Sequence, residues 1–257
     1  MLSKFILLLT ALCSACNQNS NANKFENKLQ YSPKENLYKR IKEIPLPHGY
    51  SRLITDEASF GSWLENVSLK KDKTVYEFDG SIKYNQAVQF AVLNISVGKK
   101  NLQQCADAVM RLRAEYLYEK NDFDKINFTD NDGTSYLYKP PYTRKNFDVY
   151  LDRVFGMCGT ASLSKQLKTR VKIKDVEPGD VLIRGGFPGH AVIVMDVATN
   201  DVGNKIFLLA QSYMPAQDIH VLNNPSDKNL SPWYEVNDET IIETPEYTFR
   251  KDELKRW

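Results

Sequence analysis

The chain has 257 residues, and its 34 lysines and arginines against 32 aspartates and glutamates leave a formal net charge of +2. That length supports a full hydrophobic core, most simply as one domain, while near-balanced charge and the lack of a long basic run after Lys42 argue against a nucleic-acid partner. The three histidines, His48, His190 and His220, lack the short paired spacing of a zinc site, and no glycine-rich phosphate loop occurs, so neither metal nor cofactor is expected.

Lys4 precedes an apolar run from Phe5 to Leu12, too short to span a bilayer and of the length of a signal-peptide core. Ser14 and Ala15 then lead into Cys16, followed at once by the polar run Asn17-Gln18-Asn19-Ser20-Asn21. This arrangement resembles a bacterial lipoprotein signal. The resemblance implies that residues 1–15 are removed, that Cys16 carries lipid, and that the chain hangs from a cell-envelope membrane facing the periplasm or the surface. Cys13 stands where such signals usually carry leucine, and a plain secretory peptide is the alternative. Residues 16–43, rich in Asn, Lys, Glu and Ser, read as a flexible tether, because they cannot bury enough apolar surface to fold. The expected domain runs over 44–257.

Asp56 is positioned to cap a short helix with Phe60, Trp63 and Leu64 at helical spacing. Val75 to Phe78, the Asp79-Gly80 turn and Ile82 onward read as a hairpin, and Val88 to Val97 as a well-covered strand ended by Gly98. Asn101 is then the expected N-cap of a helix from Leu102 to about Glu119, whose Cys105, Ala106, Val109, Leu112, Tyr116 and Leu117 form one apolar face. Asp107, Arg111 and Glu115 follow one another at four-residue spacing on the other face and read as ion-pair support for the helix. The stretch around 121–146 is polar and aromatic, with turns at Asn131-Asp132-Gly133 and Pro140-Pro141, and reads as an insertion or lid. Phe147 to Leu167 is a second helical pattern, interrupted by Gly156 and Gly159.

The stretch from Asp175 to Val197 organises the rest. Pro178-Gly179-Asp180 signals a turn, Val181 to Arg184 a strand, Gly185 to Gly189 a glycine-rich link, and Ala191 to Val197 a second strand headed by His190. So short a link demands an antiparallel pair. Strand alternation puts His190 on one face with Val192, Val194 and Asp196, and Ala191, Ile193, Met195 and Val197 on the other. An imidazole at the end of a strand covered on both faces is partly desolvated, a useful place for a base. Asp196, roughly 20 Å further along an extended strand, is too far away to orient it. Ile206 to Ala210 forms the next strand, ending in Gln211, Ile219 to Leu222 another, and Trp233, Tyr234, Ile241, Ile242, Tyr247, Phe249 and Trp257 mark a tail packed on the core. The fold expected is α+β, with the helix from Leu102 packed on an antiparallel sheet.

A Pro-Gly-Asp turn, a strand, a short glycine-rich link and Gly-His leading an apolar strand resemble the C-terminal half of the NlpC-type papain-like cysteine peptidases and amidases. That resemblance implies a papain-like domain with His190 as general base, a thiolate at a helix start, and Gln211 as the third polar residue, which orients the ring. Apart from Cys16, only Cys105 and Cys158 are available as thiols in the mature chain. Cys105 lies near a helix start, where unpaired N–H groups and the helix dipole favour a thiolate, and Gln103 or Gln104 offers an oxyanion donor. Cys158, inside its helical pattern beside Gly159, is the alternative nucleophile. Two blander readings stay open for Cys105: a small core residue, and a disulfide with Cys158 in an oxidising compartment.

The stretches L-Q-Q-C-A-D-A-V-M-R-L-R-A-E-Y-L-Y from Leu102, G-H-A-V-I-V-M-D-V from Gly189 and F-L-L-A-Q-S-Y-M-P-A-Q-D-I-H-V-L from Phe207 also resemble a domain-of-unknown-function family of bacterial lipoproteins. Two functions are therefore carried forward. One is a cell-envelope thiol hydrolase acting on an amide in a peptide or cell-wall fragment. The other is a catalytically silent papain-like scaffold that binds a glycan, peptide or envelope partner in the same cleft.

Overall fold

The computed structural model describes residues 34–237 and 239–257; the expected signal peptide, the expected lipid attachment at Cys16 and most of the expected tether lie outside the described residues. In chain order the elements are β1 (Tyr50–Arg52), α1 (Phe60–Asn66), β2 (Gln89–Val92), α2 (Cys105–Glu119), β3 (Asn127–Thr129), β4 (Ser135–Leu137), α3 (Arg144–Met157), α4 (Thr160–Gln166), β5 (Thr169–Arg170), β6 (Val181–Arg184), β7 (His190–Asn200), β8 (Lys205–Gln211), β9 (His220–Leu222), β10 (Tyr234–Glu235), β11 (Ile241–Glu243), β12 (Thr248–Arg250) and β13 (Leu254–Arg256). Nine strands form one antiparallel sheet in the order β2-β9-β8-β7-β6-β13-β5, with β1 beside the last three residues of β7 and β10 beside β8. The architecture is thus α+β, a large antiparallel sheet with four helices among the described residues.

The central strand, β7, runs for eleven residues and is rich in β-branched side chains, which suit a pleated surface covered on both sides. Ala191, Ile193 and Met195 join the cluster built with the apolar faces of α1 to α4, including Leu64, Leu112, Phe147 and Leu163. Val192 and Val194 join a second cluster, with Ile242 of β11 and Phe249 of β12. A β-bulge between Val194 and Asp196 then reverses the alternation, so that Val197 returns to the second cluster and Ala198 to the helix side. Simple alternation therefore assigns Val197 to the wrong face. The expected β6–β7 pairing holds in register, with Arg184 opposite His190 and Val181 opposite Ile193.

Several boundaries differ from the sequence reading. The fold extends N-terminal of Ile44: Ile41 is wholly buried, and Arg40 bridges Ser68. The first helix is capped by Ser59, whose side chain accepts from the Ser62 N–H, while Asp56 caps the preceding turn through the Ala58 N–H. The expected 88–97 strand is only Gln89–Val92, irregular between Gln89 and Ala91. The stretch around 121–146 forms the β3–β4 hairpin, and Ile126, Phe128, Tyr136 and Tyr138 bury it in the helix-side cluster. The helical pattern from Phe147 is two helices, α3 and α4, that break at Cys158 and Gly159.

Candidate functional site

Helix α2 begins three residues later than its apolar periodicity suggests. Asn101 does not cap it: the Asn101 side-chain oxygen accepts from the Ala216 N–H at 2.8 Å and so ties this turn to the loop after β8. Gln104 is the N-cap, and Asp107 Oδ2 accepts from its N–H at 3.0 Å. Cys105 is consequently the first residue of the helix, where backbone N–H groups have no intrahelical partner. Backbone N–H groups near its sulfur, among them that of Ala191, the residue after His190, favour the charged form of the thiol. The helix start and the head of β7 therefore meet at the end of the sheet.

The link that brings β7 there lies hard against α4. Thr160 donates its hydroxyl to the Gly186 carbonyl at 3.2 Å. A Cβ on Gly189 would stand 2.3 Å from Thr160 Oγ1 and 2.6 Å from the Arg184 carbonyl oxygen, so only glycine allows this approach. The His190 ring is enclosed by Tyr213 at 5.0 Å, Tyr247 at 4.9 Å and Phe249 at 5.8 Å between centroids. His190 Nε2 lies 2.8 Å from Gln211 Oε1. Gln211 Nε2 in turn donates to Glu246 Oε2 at 2.7 Å and lies 3.5 Å from His220 Nε2, and Lys83 Nζ donates to Glu246 Oε1 at 2.6 Å. With its Nε2 facing a carbonyl oxygen, His190 must carry its proton there, which leaves Nδ1 as the basic atom.

Cys105 lines a groove of about 240 Å³ with Gln104, Asp107, Cys158, Gly159, Thr160, the 186–189 link and Met214. Both cysteines are free thiols, so no disulfide joins them. Gln104 faces this groove and Gln103 does not: Gln103 is buried, and its side-chain oxygen accepts from Arg111. Cys158 sits at the break between α3 and α4 rather than within a helix, one residue before the Gly159 N-cap of the short helix α4. A larger groove of about 570 Å³, lined by Phe60, Arg113 and Trp257 among others, contains neither cysteine nor His190.

Burial dominates the electrostatics. It pushes the Cys105 thiol up to about 11, with the Asp107 carboxyl adding to the rise and the nearby N–H groups opposing it. It pushes the Cys158 thiol up to about 12, helped by Asp130 and Asp107. It pushes the His190 imidazole down to about 4, against the Gln211 hydrogen bond. The sequence reading expected a thiolate at the helix start. A dipole near one helix end contributes about 0.3–1 kcal/mol, while desolvation of a buried group moves a pKa by up to 3–5 units. The resting pair is thus a neutral thiol and a neutral imidazole, and no hydrogen bond joins Cys105 to His190 among the described residues.

Residues 39–142 and 138–256 match the family described as Domain of unknown function (4846). The chain belongs to that family. No curated protein and no solved structure matches the chain.

Within this family member, the structure brings Cys105, His190 and Gln211 to one end of the sheet, with Cys158 on the same groove. Asp196 stands apart in a buried ion pair with Arg52 at 2.8 Å. His48 is exposed, and His220 is wholly buried with Nδ1 2.9 Å from the Asp218 carbonyl. Among the described residues no group of three His, Cys, Asp or Glu side chains is placed to hold a metal, and no helix is long and apolar enough to cross a membrane. Lys83 and Glu246 escape sequence reasoning because 163 residues separate them and neither sits in a local pattern. Asp107 was visible only as a helix-supporting charge. It makes no ion pair with Arg111, whose Nε goes instead to Glu115 at 2.6 Å, and Glu115 also takes both Nη atoms of Arg144.

Proposed function

We propose that this protein is a papain-like thiol hydrolase that cuts an amide bond in a peptide or cell-wall fragment, held on the cell envelope by lipid on Cys16. The observation that carries the reading is the 2.8 Å bond between His190 Nε2 and Gln211 Oε1, at the head of a strand whose next backbone N–H, that of Ala191, favours the charged form of the Cys105 thiol. In this reading substrate enters the groove and the Cys105 thiol passes its proton to His190 Nδ1 as sulfur attacks the amide carbon. The tetrahedral oxyanion is stabilised by N–H groups at the start of α2 and by Gln104. His190 returns the proton to the leaving nitrogen, the C–N bond breaks, and a thioester remains. Water then attacks the thioester with His190 taking its proton, which releases the acid and restores the thiol. Because both partners rest neutral, proton transfer accompanies attack rather than preceding it.

The burial of Cys105, 8 % exposed, favours a second reading, a silent scaffold that binds a glycan, peptide or envelope partner in the groove. Purified protein incubated with peptides and cell-wall fragments decides between them. Hydrolysis that is lost in Cys105→Ala and His190→Ala, and kept in Cys158→Ala, is expected of the enzyme. Binding without turnover in the wild type indicates the scaffold, and loss confined to Cys158→Ala moves the nucleophile to that residue. Membrane release of Cys16→Ala in the producing cell tests the anchor.

A further inference from the structure

We infer that Glu246, held by Lys83, is a positioning residue that fixes which end of the Gln211 amide faces His190, and so fixes the imidazole tautomer. The inference rests on the reading of His190 as the base. The two ends of a glutamine amide have nearly the same shape, so packing alone does not choose between them. Here the choice is made by acceptors. Gln211 Nε2 has two hydrogens and finds Glu246 Oε2 at 2.7 Å and His220 Nε2 at 3.5 Å. His220 Nδ1 stands 2.9 Å from the Asp218 carbonyl oxygen and must donate to it, so His220 Nε2 is a bare acceptor. A flipped amide would press its carbonyl oxygen against a carboxylate and a nitrogen lone pair. The unflipped amide presents Oε1 to His190 at 2.8 Å, and that oxygen accepts a proton only from an Nε2–H tautomer.

The supporting pair is not incidental to the surface. The side chains of Lys83 and Glu246 are only 7 % and 14 % exposed, and Lys83 Nζ sits 5.4 Å from the centre of the Tyr213 ring that also flanks His190. Burying two charges is weak evidence for stability, because desolvation offsets their attraction, and registry is the better-attested use of such pairs. The backbone supports that use. Glu246 lies on the tight turn between β11 and β12, closed by the Thr244 N–H to the Tyr247 carbonyl at 2.8 Å. The same hairpin supplies Tyr247 and Phe249 to the imidazole. One turn therefore both encloses the ring and decides its protonated nitrogen, through a line of four groups, Lys83, Glu246, Gln211 and His190, that are buried except for the partly buried Glu246.

The test uses the full domain with ¹⁵N-labelled histidine, and reads the two ring nitrogens of His190 alongside turnover of a Cys105-dependent substrate. The wild type is expected to show a single tautomer, protonated at Nε2. Glu246→Leu is expected to mix the tautomers and to lower kcat by roughly tenfold or more with little change in KM, the scale of a lost general base that is only partly misset. Glu246→Gln, whose side-chain carbonyl still accepts from Gln211, is expected to keep the wild-type tautomer, a rescue that a purely structural role for the charge does not give. A Glu246→Leu protein that folds and keeps a single Nε2–H tautomer overturns the inference. If that variant does not fold, Glu246→Ala, which also removes the acceptor for Gln211 Nε2 but with a smaller side chain, carries the test, and an unchanged tautomer there overturns it equally. The spectrum does not depend on Cys105: a tautomer set by Glu246 without turnover fails the hydrolase reading alone, and turnover with a tautomer indifferent to Glu246 fails this inference alone.

Discussion

The carboxyl of Asp107 works against ionisation of the Cys105 thiol, which lies two residues before it on the first turn of α2. Its Oδ2 accepts from the Gln104 N–H, its Oδ1 has no partner, and burial holds the whole group well above the ordinary carboxylate range. Asparagine keeps an acceptor for that N–H and removes the charge. Asp107→Asn is therefore expected to shift the pH profile of Cys105 alkylation by iodoacetamide downward, with the rate at pH 8 rising about threefold to tenfold. A profile that stays in place or moves upward would show that the carboxyl is not felt at the sulfur.

Two buried imidazoles give the protein an acid limit. Burial pushes His190 down to about 4 and His220 down to about 3. An unfolded histidine binds its proton near 6.5, so below that pH the unfolded state holds more protons than the folded one, and stability rises with pH there. The contribution from keeping each ring neutral is complete above 6.5 and is lost as pH falls through the folded values. The ring C–H resonances of both residues should therefore stay unchanged from pH 8 to 5. The unfolding free energy should fall toward pH 4, by on the order of a few kcal/mol per ring, and His220→Asn should flatten that fall. Resonances that move with a midpoint near 6.5 would contradict the burial of these rings.

How much of this was legible follows from the distance over which each feature is encoded. The β6–β7 pair could be read because Pro178-Gly179-Asp180 and the glycine-rich link are local signals, and His190 heads β7 as expected. The apolar face of α2 was equally plain, but its start was not. Asn101 looks like a cap in sequence, while in space its oxygen is engaged by Ala216, 115 residues away. The bulge between Val194 and Asp196 has no glycine to announce it, so alternation fails from Asp196 onward. Gln211 was reachable by its place at the end of β8. Glu246 and Lys83 come from a late turn and an early loop, and only the folded sheet brings them together.

Arg52 on β1 and Asp196 on β7 form an ion pair whose acid side is fully buried. Burial pushes Asp196 up to about 7, with Arg52 opposing the rise. An unfolded aspartate titrates near 3.9, so between about pH 4 and 7 the folded state binds the extra proton, and stability declines as pH rises through that window. Removing the arginine leaves a buried carboxylate without compensation wherever it must ionise. Arg52→Met should cost about 3–5 kcal/mol at pH 8.5 and clearly less at pH 5.5, where Asp196 can stay protonated. Denaturant unfolding at the two pH values checks this, and an equal cost at both would mean that the pair does not titrate as described.

Gly189 and Gly156 should respond in opposite ways to the same substitution. A Cβ at Gly156, in the last turn of α3, meets nothing within 4 Å, so Gly156→Ala should stabilise the protein by about 0.4–1 kcal/mol through the entropy of the unfolded chain. A Cβ at Gly189 would meet Thr160 Oγ1 at 2.3 Å, the Arg184 carbonyl at 2.6 Å and the Gly186 carbonyl at 2.8 Å. Thr160 can rotate away, but the two carbonyls belong to the backbone of β6 and of the link, so relief requires the link to move. That movement would carry the head of β7 away from α2, and with it both His190 and the Ala191 N–H that favours the charged form of the Cys105 thiol. Gly189→Ala should therefore cost about 1–3 kcal/mol, as overpacking does, and should reduce the proposed Cys105-dependent hydrolysis at least as far as it reduces stability. Thermal unfolding and turnover measured on both variants provide the check, and a Gly189→Ala protein with wild-type stability and activity would show that this close approach does not position the site.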